Sequence, residues 1–514
     1  MKSTTRTWLL ILLFVVIFLA FTFRKEWFTS SDNVIKEAYL VESIQMPEGL
    51  NSEVGGLGFL SDGRLVACFH RGEVMIYNPA TEEWKLFAEG LHDPLGLLII
   101  SDSEIWVMQQ PELTRIRDTD GDGQADLYEN VTDDFGISGN YHEFNYGPVK
   151  DKQGTFFIAL NTGSSGDGIL PQVRGKLNTL GRDGDKGNRQ MFSVVPYRGW
   201  VLQITPEGKV KPFAMGLRSP NGLGFDSEGN LLVADNQGDW VASSALYHIE
   251  EGKFYGHPAS LVWKDGWNRG NPFYLPISQL NEMRTRAAVV FPQGIMANSP
   301  AQLLCDTTQG KFGPFGGQLL VGEMNRERIV RVMLEKVGGA LQGACVPFID
   351  GKGLRMGNNR LAFAPDGSLW VGQTDHGWAG AEGIQRIRFT GQTPMDIYNM
   401  NLTSQGFDMT FTQPVDAQSA ADPDNYEFRH YYYDYYKKDE TEPVDKSIQL
   451  DVQQVAVTAV KISPDGKKVS LALKDLRPGY IYELKLKNII SADGTPLENE
   501  LICYTLNNLR KTDL

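Results

Sequence analysis

Short apolar runs separated by tight polar turns recur from about residue 50 to residue 390. Three clear copies contain an Asp-Gly or Glu-Gly turn, at Gly63, Gly229 and Gly367, with an apolar run on each side. Such a pattern predicts a β-hairpin, because Gly supplies the backbone conformation that a tight turn requires. With three weaker copies, the hairpins begin near Gly58, Leu95, Tyr146, Gly224, Ile295 and Ala362.

A hairpin that returns at intervals of roughly 40 to 75 residues is typical of the blades of a β-propeller. Other short strands follow the hairpins, for example at Glu73–Tyr77 and Ile384–Phe389. We therefore predict a six-bladed β-propeller over residues 31–392. The longer spacings near 160–200 and 250–290 predict loops on one face, where function usually resides.

The pattern changes after Gly391, where Phe407–Phe411 and Tyr482–Leu486 alternate between apolar and polar positions. This predicts a second all-β unit over residues 393–514, a small immunoglobulin-like β-sandwich. The tyrosine-rich stretch Tyr431–Tyr436 suits either packing within strands or stacking on sugar rings, and packing is the more common role. The whole fold is predicted to be all-β.

The N-terminal segment has the composition of an export or anchoring element. An apolar run from Trp8 to Phe23 follows Lys2 and Arg6 and is closed by Arg24 and Lys25. We predict that residues 1–30 form a transmembrane signal anchor or a signal peptide. Both alternatives place the rest of the chain in the cell envelope, on the periplasmic or extracellular side, and an anchor would attach it to the membrane by a single helix.

The net charge and the cysteine spacing argue against several kinds of ligand. The formal net charge of -14 at pH 7 disfavours nucleic acid, since phosphate binding needs clustered Lys and Arg. The four cysteines have spacings that suit neither zinc nor haem, and each is predicted to be a buried small hydrophobic residue, with a disulfide as the alternative. They are Cys68, Cys305, Cys345 and Cys503.

Residues 118–129 have the spacing of a calcium-binding loop. Oxygen ligands occupy positions 1, 3, 5, 9 and 12, a backbone carbonyl is available at position 7, and Gly123 stands at position 6 for the sharp turn. The flanking Leu113–Arg117 and Leu127–Val131 are predicted strands, so the loop predicts a calcium-bound hairpin with a structural role. The predicted ligands are Asp118, Asp120, Asp122, Gln124, Asp126 and Glu129.

Polar residues precede two of the predicted inner strands, His142 before the third hairpin and Arg218 before the fourth. Because inner strands of a propeller start near its central channel, these side chains are expected to converge. A histidine supplies a base and an arginine a fixed positive charge, so the pair is a candidate catalytic centre. A structural role for His142 is the alternative.

Two neighbouring segments, Gly216–Phe225 and Val233–Asp239, resemble the Arg-x-Pro-x-Gly-Leu motif and the acidic turn of the glucose/sorbosone dehydrogenases. The segment Phe315–Leu334 resembles the fifth blade of that family. The Asp-rich loop is similar to an insertion in exported bacterial relatives described as membrane-bound dehydrogenases. The likeness covers most of residues 50–390.

The resemblance implies an oxidoreductase that uses pyrroloquinoline quinone and calcium and acts on a sugar or other small polyol. In such an enzyme, His142 would take the hydroxyl proton while hydride passes to the quinone, and Arg218 would polarise the quinone carbonyl. Asp235 is a third candidate catalytic residue, and backbone carbonyls near Gly238 and Asp239 are candidate ligands of a second calcium ion. The candidate cofactor-binding residues are Asn221, Gln237, Asn325 and Arg360.

This sequence departs from the family where the cofactor's carboxylates are held. Asn325 and the stretch Gly357–Asn359 stand at positions where the family has Lys and Arg, and amides bind carboxylates less strongly than cations do. Arg326, Arg355 or Arg360 could compensate. The sequence also lacks a Cys-x-x-Cys-His haem motif, so electrons would pass to a separate acceptor.

Three hypotheses follow. The first is a quinone-dependent sugar or aldose dehydrogenase. The second is a non-redox propeller enzyme, a lyase or hydrolase of sugars or lactones, with His142 and Asp235 as acid and base and calcium as a Lewis acid. The third is a calcium-stabilised carbohydrate-binding scaffold whose loop tryptophans stack on glycans, although packing between blades is the commoner role. Those tryptophans are Trp200, Trp240, Trp263 and Trp267.

Overall fold

The computed structural model of the chain describes residues 37–165, 168–170, 173–182, 191–376, 380–435 and 448–510. Within these ranges the chain is mostly strand, with two short α-helices, α1 (Ile277–Met283) and α2 (Ala417–Ala421). Four 3₁₀ turns complete the regular structure, at Thr179–Gly181, Pro258–Trp263, Pro272–Tyr274 and Pro423–Asn425. The predicted all-β class is confirmed.

The first three blades are antiparallel sheets of four strands. After β1 (Tyr39–Ser43), blade one consists of β2 (Val54–Phe59), β3 (Leu65–Phe69), β4 (Val74–Asn78) and β5 (Glu83–Ala88). Blade two consists of β6 (Leu97–Ser101), β7 (Glu104–Met108), β8 (Leu113–Arg117) and β9 (Leu127–Thr132). Blade three comprises β10 (Asn145–Lys150), β11 (Phe156–Leu160), β14 (Trp200–Ile204) and β15 (Val210–Met215), with the small hairpin β12 (Gly163–Ser164) and β13 (Met191–Phe192) inserted.

The next three blades repeat the arrangement. Blade four comprises β16 (Gly222–Phe225), β17 (Leu231–Asp235), β18 (Ala245–His248) and β19 (Val289–Val290). Blade five comprises β20 (Pro300–Cys305), β21 (Leu319–Glu323), β22 (Ile329–Val337) and β23 (Ala340–Phe348). Blade six comprises β24 (Asn358–Phe363), β25 (Leu369–Gln373) and β26 (Gly383–Phe389), and β1 is its fourth strand.

The six inner strands lie side by side in chain order, and the inner strand of blade six lies against that of blade one. Glycine permits this close approach: a Cβ on Gly96 would lie 1.9 Å from the carbonyl oxygen of Gly147, and a Cβ on Gly222 would lie 2.0 Å from that of Ala301. These contacts between successive inner strands, and between the first and the last, are those of a propeller-like arrangement. The six predicted hairpins correspond to the first two strands of the six blades.

The C-terminal strands form two layers. One layer is β27 (Ile397–Leu402), β28 (Gly406–Phe411), β32 (Lys468–Leu473) and β31 (Val457–Ile462). The other is β34 (Leu501–Leu506), β33 (Tyr480–Leu486), β29 (Tyr426–Tyr432) and β30 (Leu450–Val455). Buried side chains of both layers, such as Phe407 and Tyr482, share one apolar core.

The sandwich is continuous with the propeller. Strand β34 pairs with β23, so blade five and the second layer form one eight-stranded sheet. Met333 and Val346 of blade five contribute to the sandwich core, and residues Tyr39–Leu514 form one compact unit. The chain leaves blade six at Phe389 and starts the sandwich at Ile397, on either side of the predicted boundary at 392. The immunoglobulin-like type of this sandwich stays a prediction.

Two further predictions concern the cysteines and the N-terminal segment. All four cysteines are buried and free, as predicted. Within the described ranges, no helix combines the length and the apolar character that crossing a bilayer requires. The predicted signal or anchor over residues 1–30 lies outside those ranges.

Candidate functional site

A cavity of about 230 Å³ opens where the chain enters the inner strands. All six blades contribute to its lining, and the lining is rich in neutral polar groups. Five amide side chains line it, together with Ser219, Ser299 and Thr374. The amides are Asn221, Asn236, Gln237, Asn298 and Asn359.

His142 and Arg218 both line this cavity, so the predicted convergence is confirmed. Thr162 links them, since its carbonyl oxygen lies 2.8 Å from Nδ1 of His142 while its N–H and hydroxyl groups donate to the carbonyl oxygen of Arg218. A carbonyl oxygen can only accept a hydrogen bond, so His142 carries its proton on Nδ1 and leaves Nε2 as a basic nitrogen. Burial, and then the nearby Arg218, lower the pKa of His142 to about 4.

The turn that carries His142 is fixed by buried polar side chains. Asn140 accepts hydrogen bonds from the backbone N–H groups of His142 and Ser164 and donates to the carbonyl oxygens of Ser164 and Gly168. Behind it, the buried carboxylate of Glu143 accepts two hydrogen bonds from Ser138. Glu143, which directly follows His142 in the chain, therefore supports the turn.

The loop after β17 positions Arg218. A carboxylate oxygen of Asp239 lies 3.4 Å from Nε of Arg218, and Asp239 also lies within hydrogen-bonding distance of His257 and accepts from the backbone N–H of Met191. A Cβ on Gly238 would lie 2.4 Å from Nε of Arg218, so only glycine leaves room for the guanidinium. Burial raises the pKa of Asp239, but His257 and Arg218 outweigh it, and the pKa is lowered overall.

Asp235 lies behind the cavity wall and is absent from the described lining. Its carboxylate accepts hydrogen bonds from the backbone N–H groups of Arg218 and Ser219, at 3.0 Å and 2.7 Å. Burial raises its pKa to about 6 against the effect of these donors. The structure thus places Asp235 as a support for the Arg218 backbone. The carbonyl oxygen of Gly238, a candidate calcium ligand, accepts hydrogen bonds from the backbone of Trp240 and Val241.

Arg360 is absent from the described lining but is bonded to two residues that belong to it. Its guanidinium donates to the side-chain oxygens of Asn221 and Asn359, at 2.8 Å each, and to the carbonyl oxygens of Leu95 and Gly55. Its donors are thus occupied by the protein, and burial lowers its pKa to about 10. Of the predicted cofactor-binding residues, Asn221 and Gln237 line the cavity, and Arg360 contacts it only through its hydrogen bonds to Asn221 and Asn359.

Asn325 and the two arginines that could compensate for it, Arg326 and Arg355, have partners outside the cavity. Asn325 is absent from the described lining, and its backbone N–H donates to Glu323. Arg326 donates to the carbonyl oxygen of Gly294, and Arg355 donates to Gln373. Among the described lining residues, Arg218 is therefore the only Arg or Lys.

The sequence prediction missed two histidines in the opposite wall, His70 and His376. They follow second strands of blades one and six, and their rings lie 4.1 Å apart. Each has a carboxylate beside it, Asp93 near His70 and Glu53 near His376. The position of His70 at the inner end of a blade strand is the one signal in the sequence that pointed to the channel.

The predicted calcium loop joins β8 to β9, so the predicted flanking strands are confirmed. It brings the carboxylates of Asp118, Asp120 and Asp122 within 4.8 Å of one another. Of the remaining candidates, Gln124 adjoins this group, since its N–H donates to Asp122. The other two have partners outside it: Asp126 accepts from Thr119, and Glu129 pairs with Arg115 and Arg117.

The fold and the cavity define a β-propeller protein with a histidine and an arginine at its channel. The chain belongs to the family described as "Domain of unknown function (DUF7133)", which matches residues 79–376, more than half of the chain. A search of the curated proteins finds no match.

Several solved structures are similar to this chain. The PQQ-bound aldose sugar dehydrogenase of Streptomyces coelicolor is 17% identical, with 68% of this chain and 99% of that chain covered and a TM-score of 0.45. The soluble aldose sugar dehydrogenase of Escherichia coli is 14% identical, with 68% and 99% covered and a TM-score of 0.46. The PQQ domain of the Coprinopsis cinerea pyranose dehydrogenase is 12% identical, with 69% and 96% covered and a TM-score of 0.46.

Proposed function

We propose that this protein is a sugar or polyol dehydrogenase in which His142 takes the proton of a substrate hydroxyl. The observation that carries the proposal is the pairing, in one cavity, of an arginine with an imidazole whose Nδ1 is bonded to a carbonyl oxygen. Thr162 fixes the tautomer of His142 and the backbone of Arg218 at once. The acceptor nitrogen and the positive charge are therefore held in a constant relation before substrate binds.

Arg218 would bind the negative charge that develops during the reaction. Its side chain lines the cavity, and the carboxylate of Asp239, 3.4 Å from Nε, holds it there. A small quinone bound beside Arg218 would supply the two-electron oxidation that converts the hydroxyl-bearing carbon to a carbonyl. The hydroxyl proton would remain on Nε2 of His142 until it passes to solvent.

The lining supports a neutral, hydroxyl-rich substrate. The five amides and three hydroxyl side chains offer both donors and acceptors, which is what the hydroxyl groups of a sugar require. The half-buried Phe144, which lies near His142, offers an apolar surface for the ring carbons. A sugar or polyol therefore suits this cavity better than a highly charged ligand does.

The described residues do not fit pyrroloquinoline quinone, which carries three carboxylates. Arg218 is the single guanidinium in the described lining, and the donors of Arg360 are occupied by protein oxygens. Carboxylates held by amides alone would lose the charge-assisted hydrogen bonds that cations supply. We therefore propose that the electron acceptor is a quinone with fewer carboxylates than pyrroloquinoline quinone has.

The same scarcity of cations favours a second candidate, a non-redox enzyme acting on a sugar or lactone. Such an enzyme needs a base and a group that stabilises an oxyanion, and His142 and Arg218 supply both. Asp235 is bonded to backbone N–H groups, so the acid would have to be another residue. The third hypothesis, a carbohydrate-binding scaffold, is less well supported. Trp200 and Trp240 are buried, so they cannot stack on a bound glycan.

We also propose that the loop at residues 118–124 binds calcium and stiffens blade two. Asp118, Asp120 and Asp122 would supply carboxylate ligands, and the backbone carbonyl of Gln124 would supply another oxygen. Asp126 and Glu129 would have to leave Thr119 and the two arginines to join them. We propose the cell envelope as the location, on the strength of the apolar segment Trp8–Phe23.

The test is a turnover assay with purified full-length protein and calcium. Aldoses and polyols are supplied together with a redox dye and, in separate reactions, a short-chain benzoquinone or pyrroloquinoline quinone. Dye reduction that depends on sugar, quinone and His142 is the expected result. Hydrolysis of a sugar lactone without dye reduction would instead establish the second candidate, and the absence of both activities would reject an enzymatic role for the pair.

A further inference from the structure

The opposite wall of the cavity contains a second group of polar residues that the proposed reaction does not use. His70, Asp93 and His376 come together there, and we call them the His-Asp-His cluster. One potential ligand atom from each residue lies within 4.8 Å of the other two. His70 and His376 line the cavity, while Asp93 lies behind them. The cluster is thus reachable from the cavity.

The distances within the cluster suit a single ion. Nδ1 of His70 lies 2.7 Å from Oδ1 of Asp93, and Nε2 of His376 lies 3.8 Å from the same oxygen. Ligand atoms that each lie roughly 2.0 to 2.2 Å from one zinc-like ion are at most about 4.4 Å apart. Only small side-chain rotations would bring the three atoms around one ion.

The second nitrogen of each imidazole also has a polar neighbour. Nδ1 of His376 lies 3.3 Å from a carboxylate oxygen of Glu53, and Nε2 of His70 lies 3.5 Å from the hydroxyl oxygen of Thr374. Histidines that bind metals commonly donate their other N–H to a carboxylate, a carbonyl or a hydroxyl group, which fixes the tautomer. Glu53 and Thr374 are therefore in the positions of supporting residues.

The charges point to a cation. Asp93 and Glu53 are largely buried, with 17% and 14% of their side chains exposed. In the described part of the chain, the only charged or titratable partners of these two carboxylates within ion-pair distance are the two histidines. Two carboxylates lie beside two imidazoles in a sheltered place, an arrangement that suits a divalent cation.

From these observations we infer that the His-Asp-His cluster binds a divalent transition metal ion. Two imidazoles and one carboxylate form a ligand set used for zinc and for iron(II), whereas calcium and magnesium prefer oxygen ligands alone. The ion would expose its remaining coordination positions to the cavity, since His70 and His376 line it. It is thus distinct from the proposed calcium loop, and it stands independently of the proposed reaction.

The experiment uses full-length protein that has been stripped with a chelator and then titrated with cobalt(II), without sugar or quinone. Cobalt(II) reports its ligands through visible absorption, and metal analysis after desalting gives the stoichiometry. We expect one tightly bound cobalt ion per chain, displaced by zinc and retained in excess calcium. X-ray absorption should show nitrogen ligands from imidazole.

Substitutions in the cluster test whether its residues are the ones that bind cobalt. Asp93→Asn and His376→Gln should each weaken cobalt binding by more than about 100-fold, because each removes a ligand. The matched control is His248→Gln, which alters a histidine of strand β18 and should leave binding unchanged. Circular dichroism checks folding, and His70→Gln replaces any variant that does not fold.

Two results of the binding measurements would overturn the inference, and one result of the X-ray absorption would do the same. One is wild-type protein that retains no stoichiometric cobalt, and the other is unchanged binding in the folded Asp93→Asn and His376→Gln variants. Both measurements are made without turnover, so they are separate from any failure of the proposed dehydrogenase activity. Cobalt ligated by oxygen alone would likewise contradict the assignment and point to the aspartates of residues 118–122.

Discussion

The two walls of the cavity both present histidines, but different groups lie behind the imidazoles. On one wall, His142 donates to the carbonyl oxygen of Thr162 and has Arg218 nearby. On the other, His70 and His376 lie beside Asp93 and Glu53. A neighbouring guanidinium keeps an imidazole neutral and favours anions, whereas neighbouring carboxylates favour a cation. The same side chain is thus suited to proton transfer on one wall and to metal binding on the other.

Replacing His142 should produce the largest effect. We expect His142→Gln to lower kcat by about 10² to 10⁴-fold, the usual contribution of a general base. Glutamine can still donate to Thr162, so the thermal midpoint should change little. The measurement is the rate of dye reduction at saturating sugar. His248→Gln is the matched control, and equal rates for both variants would remove His142 from the reaction.

The second prediction displaces Arg218 without changing it. Gly238→Ala would place a Cβ 2.4 Å from Nε of Arg218, and the positive φ of +146° adds strain. Moving a catalytic group by about 1 Å can cost roughly 100-fold in rate, so we expect a loss of about that size. Gly229→Ala is the control, since it also has a positive φ, +91°, but its Cβ would meet open space. If both variants lose the same activity, backbone strain and not Arg218 is the cause.

The comparison also shows what could be predicted from the sequence. Strands and hairpins are local, and the turns at Gly63, Gly229 and Gly367 identified them because the signal lies within a few residues. The closing strand β1 was not separately predicted, since its pairing with β26 joins segments at opposite ends of the propeller. His70 and Thr374 are 304 positions apart, and only the closed ring brings them together.

Asp235 shows a second limit of what the sequence can predict, since one residue type at one position suits two roles. It ends strand β17 and accepts N–H groups from the loop that leads into its own blade. Glu323 ends β21 in blade five and does the same for the N–H groups of Asn298 and Ser299. A carboxylate at this position is therefore part of how a blade is built. Without the structure, a repeated structural role and a catalytic role have the same local sequence.

Replacing Glu53 should weaken metal binding on the other wall, with a smaller effect than the two changes described above. Glu53→Gln keeps the size of the side chain but removes the charge beside Nδ1 of His376. Loss of such a supporting residue typically weakens metal binding by about 10 to 100-fold, and we expect a change in that range for cobalt(II). The exposed Glu48 provides the control Glu48→Gln. Unchanged affinity in Glu53→Gln would mean that Glu53 does not orient a metal ligand.

The loop at residues 118–124 has clustered carboxylates with no histidine, so it should select a different cation. Calcium at about 100 times its Kd would stabilise the protein by about 2.7 kcal/mol, which appears as a higher Tm. Asp120→Asn should abolish most of this increase and leave cobalt binding unchanged. A calcium-dependent Tm that survives the substitution would place calcium elsewhere.

The pH dependence should show the smallest effect and tests the first wall directly. Burial and Arg218 lower the pKa of His142 to about 4, below the value near 6.5 of an exposed histidine. The basic form therefore predominates above about pH 4. We expect kcat/KM to fall by less than about twofold between pH 7 and pH 5, to reach about half of its plateau near pH 4, and to drop steeply below that pH. Arg218→Gln removes the second cause of the shift, so its residual activity should begin to fall at a higher pH.

A drop centred near pH 6 in the wild-type protein would instead implicate Asp235, whose pKa burial raises to about 6. In that case the support of the Arg218 backbone, and not the protonation of His142, would set the acid limit of the reaction.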